Sequence, residues 1–256
     1  MIGRRFVHFL SLPPSSRVLY TLTLIVLGMG YMFAMIYTFE NHAGRDGKPG
    51  LSVRDLIIAY SGSQKDTRLE SAIKGPMSGM LRKEDVGAII TWMRSGAKRE
   101  DFEKKVAPIL KGRCLSCHDG SNPHIPNLKG YNNVVKMVQL DTGMDVFTLI
   151  RVSHIHLFGM TFIFFITSLI FIHAYVRPSW LKSVIIATPF IAIILDVGSW
   201  YLTKVYTPFA WVIMIGGAFM GLAFAFQWIV SIYQMWFYKL PSEITEMGGE
   251  LPRMDD

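Results

Sequence analysis

"VSHIHLFGMTFIFFITSLIFIHAYV", from Val152 to Val176, holds no Lys, Arg, Asp or Glu. A helix needs ~20 apolar residues to cross a bilayer, and buried helices of soluble proteins rarely run this far without a charge. Three further runs share the character. Val18–Phe39 and Val205–Tyr238 are uncharged, and Ser183–Thr203 carries one charge, Asp196. The chain is 51% hydrophobic and 18% charged, but the charge is concentrated between Glu40 and Arg151. That division is the pattern of membrane spans around one water-facing insert. The expected fold class is an all-α membrane protein: four transmembrane helices (18–39, 152–176, 183–203 and 205–238), with a helical insert, 40–151, between helices 1 and 2.

Arg4, Arg5 and Arg17 precede the first run, as in the basic region of a cleaved leader. The run exceeds the ~7–15 residue apolar core of a signal peptide, and no small-x-small cleavage site follows "MIYTFENH", so it reads as a retained anchor. Basic loops favour the cytoplasm. They put segment 1–17, the loop "VRPSWLKS" with Arg177 and Lys182, and the tail 239–256 with Lys239 on that side. The short opposite loop has only Lys204. The insert then lies outside, in the periplasm of a bacterial cytoplasmic (inner) membrane. It holds 18 Lys/Arg against 13 Asp/Glu. This mild basicity suits either a solvated surface near anionic lipid or the docking of an acidic partner, and nucleic acid is not expected on that face. The tail "SEITEMGGELPRMDD" is acidic and reads as disordered, or ordered only on a partner.

Local signals divide the insert into short helices. Ser52-x-x-Asp55 caps a short helix over Leu56 to Ala59, and Thr67-x-x-Glu70 is a capping box for "RLESAIK" with Gly75 as its stop. In "RKEDVGAIITWMRSG", Val86, Ile89, Ile90 and Met93 form one stripe that Gly96 ends. Phe102, Val106 and Leu110 fall four apart and lead into "GRCLSCHDG", Gly112–Gly120, which holds both cysteines of the chain.

Cys114-x-x-Cys117-His118 is the attachment pattern of c-type haem. Two thiols add to the two vinyl groups, and the adjacent histidine falls under the iron. A thioredoxin-like pair would want a βαβ context, and zinc would want more Cys/His at matching spacing. With its flanks, "FEKKVAPILKGRCLSCHDG" resembles the N-terminal helix and attachment loop of the c-type cytochromes, and "IPNLKGY" resembles the Pro-x-Leu-x-Gly segment that follows. The resemblance covers about residues 100 to 150. It implies a cytochrome c-like insert with one covalent haem c, thioethers on Cys114 and Cys117, His118 as proximal iron ligand, and Pro126, Leu128 and Gly130 on the proximal side.

In that family the distal methionine lies well downstream of the motif, where this insert is nearly over. Met137 and Met144 are the only methionines between His118 and span two. Met144 sits in the turn "DTGMD". The other candidates are His124, His154, His156 and Met160. A helix starting near Asp141 or Thr142 and running to about Val176 would be ~50 Å long, which sets His154 and His156 near the outer surface. Two residues apart, they point ~200° away from each other and cannot share one iron. Either one of them is the distal ligand, or both are interfacial.

Asp196 is the only carboxylate inside a span. Such a group either handles protons or substrate, or makes a structural hydrogen bond to Ser199 or a neighbouring helix. Gln227 has the same two readings. A b-type haem on His42 with His154 or His156, or on His8 with His173, is a weaker reading, as is copper in the outer trio. Trp180, Trp200, Tyr201, Trp211 and Trp236 fall near span ends, as an aromatic belt does. Gly217-x-x-x-Gly221 is a small-residue packing face for the bundle or for a neighbouring subunit. The leading expectation is a membrane-integral cytochrome that passes single electrons between membrane subunits and an outer-face redox protein. The rivals are a quinol-oxidising subunit with bound quinone and Asp196 as proton acceptor, a structural or assembly subunit whose haem orders the insert, and a haem sensor.

Overall fold

The computed structural model describes residues 6–123, 125–239 and 241, so His124 and the acidic tail from Ser242 lie outside the described residues. Among the described residues the regular structure is helical, with one isolated bridge between Thr67 and Leu140. The α-helices in chain order are α1 Pro14–His42, α2 Val53–Ser61, α3 Arg68–Lys74, α4 Lys83–Arg94, α5 Arg99–Asp101, α6 Ala107–Arg113, α7 Tyr131–Val134, α8 Val146–Phe171, α9 Ser179–Val205 and α10 Ala210–Trp236. Two compact units result. One comprises Met1–Ile36, Phe147–Trp200 and Trp211–Asp256; the other comprises Tyr37–Val146 and Tyr201–Ala210.

The first unit is built from α1, α8, α9 and α10, four helices long and apolar enough to cross a membrane. Their outer faces carry exposed Val26, Phe33, Phe162, Phe165, Ile194 and Leu222, the surface that a protein embedded in lipid presents to acyl chains. With no hydrophobic drive between helices in lipid, close packing must hold them together. Glycine supplies it at two places. A Cβ on Gly28 would stand 2.8 Å from Trp228 Nε1, and that indole donates to Leu24 O at 2.7 Å. A Cβ on Gly216 would stand 3.5 Å from both Ala192 O and Asp196 Cβ. Gly217 has nothing within 4 Å, so the close approach belongs to Gly216 and not to the Gly217 expected from its spacing. Trp180, Trp211 and Trp236 are exposed near helix ends, whereas Trp200 is buried.

Span boundaries differ from the charge-based ones. α8 has 26 residues, ~39 Å at ~1.5 Å each, and starts at Val146 instead of near Asp141. The segment before it is fixed in another conformation. The Asp141 carboxylate accepts from Ser63 N and Gly143 N, the Asp141 amide donates to Asp66 O, and Gly143 has φ +71°. α8 ends at Phe171, and the Lys182 ammonium then donates to Ile172 O and Ala174 O. This satisfies carbonyls that the finished helix leaves open.

The second unit contains the insert. The Ser52 capping box is complete, with Ser52 Oγ accepting from Asp55 N and Asp55 accepting from Ser52 N. Thr67 caps α3 through Glu70 N, but the Glu70 carboxylate turns instead to Lys74 and Arg94, each at 2.7 Å. The core joins Leu69 and Ile73 of α3, Ile89, Trp92 and Met93 of α4, and Phe102, Val106 and Leu110. The expected four-apart stripe is therefore buried. Between α5 and α6 the chain makes a π-turn, Phe102–Val106, in which Ala107 N reaches back to Phe102 O. Pro108 has no N–H, and its ring crowds the Lys104 carbonyl in a regular helix, so the turn widens there.

A second fixed point is a crossing of two backbones. A Cβ on Gly62 would stand 2.1 Å from Asp141 O, and one on Gly143 would stand 2.4 Å from Tyr60 O. Only glycine fits either position, and both have positive φ. The Lys204 ammonium, from the last turn of α9, locks the crossing by donating to Tyr60 O, Thr142 O and Met144 O at 2.9, 2.9 and 2.8 Å.

Candidate functional site

The core stripe of Phe102, Val106 and Leu110 aims α6 so that its C-terminal end delivers the cysteine motif. Cys114 N donates to Leu110 O at 2.8 Å, and His118 N donates to Cys114 O at 2.9 Å. The motif is thus wound as one further turn. Both cysteines are free thiols; Cys114 is half-buried and Cys117 exposed. Burial pushes the Cys114 thiol up from its ordinary pKa.

His118 is held by the segment that follows. Its Nδ1 lies 2.7 Å from Pro126 O. A carbonyl can only accept, so Nδ1 carries the proton and the Nε2 lone pair is left for a metal. Leu128 N donates to His118 O at 2.9 Å. Gly130, with φ +83°, is the N-cap of α7 and stands outside the lining described next.

Cys114, Cys117, His118, Pro126 and Leu128 all line one cavity of about 620 Å³, within the ~300–1,000 Å³ typical of cofactor sites. Leu69, Ile73, Leu81 and Leu110 make it apolar, and Arg45, Arg68 and Arg113 add cationic groups. The cavity also gathers four thioethers, from Met77, Met80, Met137 and Met144. Met77 and Met80 precede the motif in the chain. They escape a sequence reading that looks for the distal ligand only downstream. The available signal is "GPMSGML", a Pro/Gly turn with two methionines between two amphipathic helices.

The lining is drawn wholly from the second unit. His154 and His156 belong to the first, on α8. There His156 Nδ1 pairs with Val152 O at 3.1 Å, and its ring meets Trp200 edge-on at 5.2 Å. His8 has both ring nitrogens in hydrogen bonds, with Leu10 N and with Gln234 Oε1. His42 Nδ1 pairs with Thr38 O and His173 Nδ1 with Val7 O.

Asp196 is buried on α9 against Gly216. Gln227 is buried too, accepting from Ser168 Oγ at 3.0 Å and donating to Ile185 O at 3.1 Å, which is the structural one of its two readings.

Among known proteins, a family described as a transmembrane helical domain matches residues 143–242, which contain α8, α9 and α10. Together with the four long apolar helices, this makes the chain a membrane-embedded protein. No curated protein and no solved structure matches.

Proposed function

We propose that the chain is a membrane-anchored c-type cytochrome carrying one haem c. It moves single electrons at the outer face of a bacterial cytoplasmic membrane, between other membrane subunits of a respiratory or photosynthetic complex and an outer redox protein. The observation that carries this reading is the shared cavity, in which two free thiols and an imidazole with its Nε2 available face one apolar space of about 620 Å³.

The residues suit the group. Cys114 and Cys117 would hold the haem as thioethers, each thiol S–H added across one vinyl group. Pro126 O fixes the ring of His118 and raises its basicity as a ligand. Leu69, Ile73, Leu81, Leu110 and Leu128 exclude water, and Arg45, Arg68 and Arg113 suit the carboxylates of a porphyrin. When bound, the haem supplies a reversible one-electron centre.

The test is expression of the full chain with a bacterial haem-attachment system. We expect haem that survives denaturing gels and gives a c-type pyridine haemochrome, and that is lost in the C114A/C117A double variant. Full expression of the chain without covalent haem would overturn the reading.

A further inference from the structure

We infer that a second cavity of the insert, about 360 Å³ and lined by Arg45, Arg54 and Lys65, seats the phosphate of an anionic phospholipid from the leaflet in which α1 ends. This cavity and the cofactor cavity have Arg45 and Ser71 in common. Through Arg45 the bound lipid bears on the cofactor, a step that rests on the cytochrome reading above.

The depth of the cavity follows from α1. Its 29 residues make a rod ~43 Å long at ~1.5 Å each. A bilayer has ~30 Å of hydrocarbon and measures ~40–45 Å with both headgroup layers. α1 thus ends among headgroups. Arg45 follows the last residue of α1, His42, by one helical turn's length of chain, and Asp46 and Gly47 of the same exit turn line the cavity too. Basic pockets at this depth are where acidic lipid heads bind.

The cavity holds cations without counter-ions. Arg45 Nε and Nη2 both donate to a neutral partner, Asn41 O, at 3.1 and 2.9 Å. Burial pulls the Arg45 guanidinium down from its ordinary pKa, and the more distant carboxylates of Asp141 and Asp55 oppose that. Arg54 and Lys65 are exposed. Among the described residues none of the three stands in an ion pair. The other charged groups of the lining are committed. Lys74 bridges Asp66 at 3.2 Å and Glu70 at 2.7 Å. Asp46 accepts from Lys48 N at 2.8 Å and from Ser52 Oγ at 3.2 Å. Ser71 Oγ, in the wall common to both cavities, is buried without a hydrogen-bond partner among the described residues. A half-buried guanidinium that meets only a carbonyl gains from an anion beside it. Three uncommitted cations around one small space suit a phosphate, whose oxygens accept from several directions at once.

The experiment uses the full-length haem-loaded protein in neutral detergent, titrated with phosphatidylglycerol or phosphatidylcholine and read by native mass spectrometry. One phosphatidylglycerol should bind at least tenfold more tightly than phosphatidylcholine. R54A/K65A should lose that preference, whereas K104A/K111A, which removes two cations outside the cavity, should keep it. Inorganic phosphate in tenfold molar excess should not displace the lipid. In nanodiscs, replacing phosphatidylcholine by phosphatidylglycerol should lower the haem midpoint potential, because an anion beside Arg45 favours the oxidised iron, and R54A/K65A should abolish that shift. Equal binding of the two lipids, equal losses in the two double variants, or displacement by inorganic phosphate would overturn the lipid site. A lipid preference with no shift in potential would overturn the coupling through Arg45. Absence of covalent haem would instead overturn the cytochrome reading, and the lipid titration, which needs no haem, would still decide the site.

Discussion

In the insert, Ser52, Thr67 and Asp141 each fix a local chain path through a side chain, and Glu70 ties α3 to α4 through Lys74 and Arg94. In the bundle, helix spacing rests on close contact at Gly28 and Gly216 and on the Trp228 indole, with Gln227 of α10 tied to Ser168 of α8 and Ile185 of α9. The difference follows from the solvent. Water competes for every backbone group and drives apolar side chains inward, so the insert is held by a core plus many polar fastenings. Lipid does neither, so α1, α8, α9 and α10 are held by the quality of their contact.

The largest effect should come from the insert core. Phe102 is 2% exposed and packs on Trp92 and Tyr131. Phe102→Ala should cost about 3–5 kcal/mol; denaturant titration of the insert should show it while bundle helicity persists. Next is Lys204→Met, which strips the charged donor from three carbonyls at once. About 3 kcal/mol should be lost, read as faster proteolysis near Gly143.

The Glu70 ion pairs come third. Burial alone would raise the Glu70 pKa, but Lys74 and Arg94 outweigh it and hold the carboxylate below its usual 4.5. A carboxylate lowered in the folded state stabilises fully above its unfolded pKa and loses that stabilisation as pH falls through the folded one. The insert should therefore lose stability below about pH 4.5, and Glu70→Gln should flatten that slope at a cost of about 1.5 kcal/mol at neutral pH. In the bundle, Gly28→Val should displace Trp228 and cost about 1–3 kcal/mol, seen as an altered Trp environment. Smallest is Leu222→Ala on the lipid face, where Leu222 is 67% exposed. Acyl chains are as apolar as leucine, so thermal stability in detergent should hold within about 0.5 kcal/mol.

This contrast also explains what could be read in advance. Ser52, Thr67 and the Phe102–Leu110 stripe are local signals, and local hydrogen bonding or periodicity determined them. Four spans were legible from charge alone because exclusion of charge from lipid is compositional. The start of α8 was not legible, because it depends on Gly62 meeting Gly143 and on Lys204 far along the chain. Gly216 could not be told from Gly217 by spacing, since adjacent helical residues differ by ~100° and only the neighbouring helix selects between them. At the site, the motif gave Cys114, Cys117 and His118, and the resemblance of "IPNLKGY" to the c-type cytochromes pointed to Pro126 and Leu128. Met77 and Met80 stayed hidden because chain order, unlike a cavity, has a direction.

The Lys204 ammonium has a consequence for timing. It is translated 60 residues after Met144, whose carbonyl it binds. A ribosome that has finished the insert has not yet made the cation that secures it. The insert can collapse around Trp92 and Phe102 early, but the segment holding Met144 is latched only when Lys204 at the end of α9 has been delivered. Maturation of the cavity is in this way clocked to membrane insertion, and a chain halted before Lys204 would leave Tyr60, Thr142 and Met144 with three carbonyls facing no ammonium.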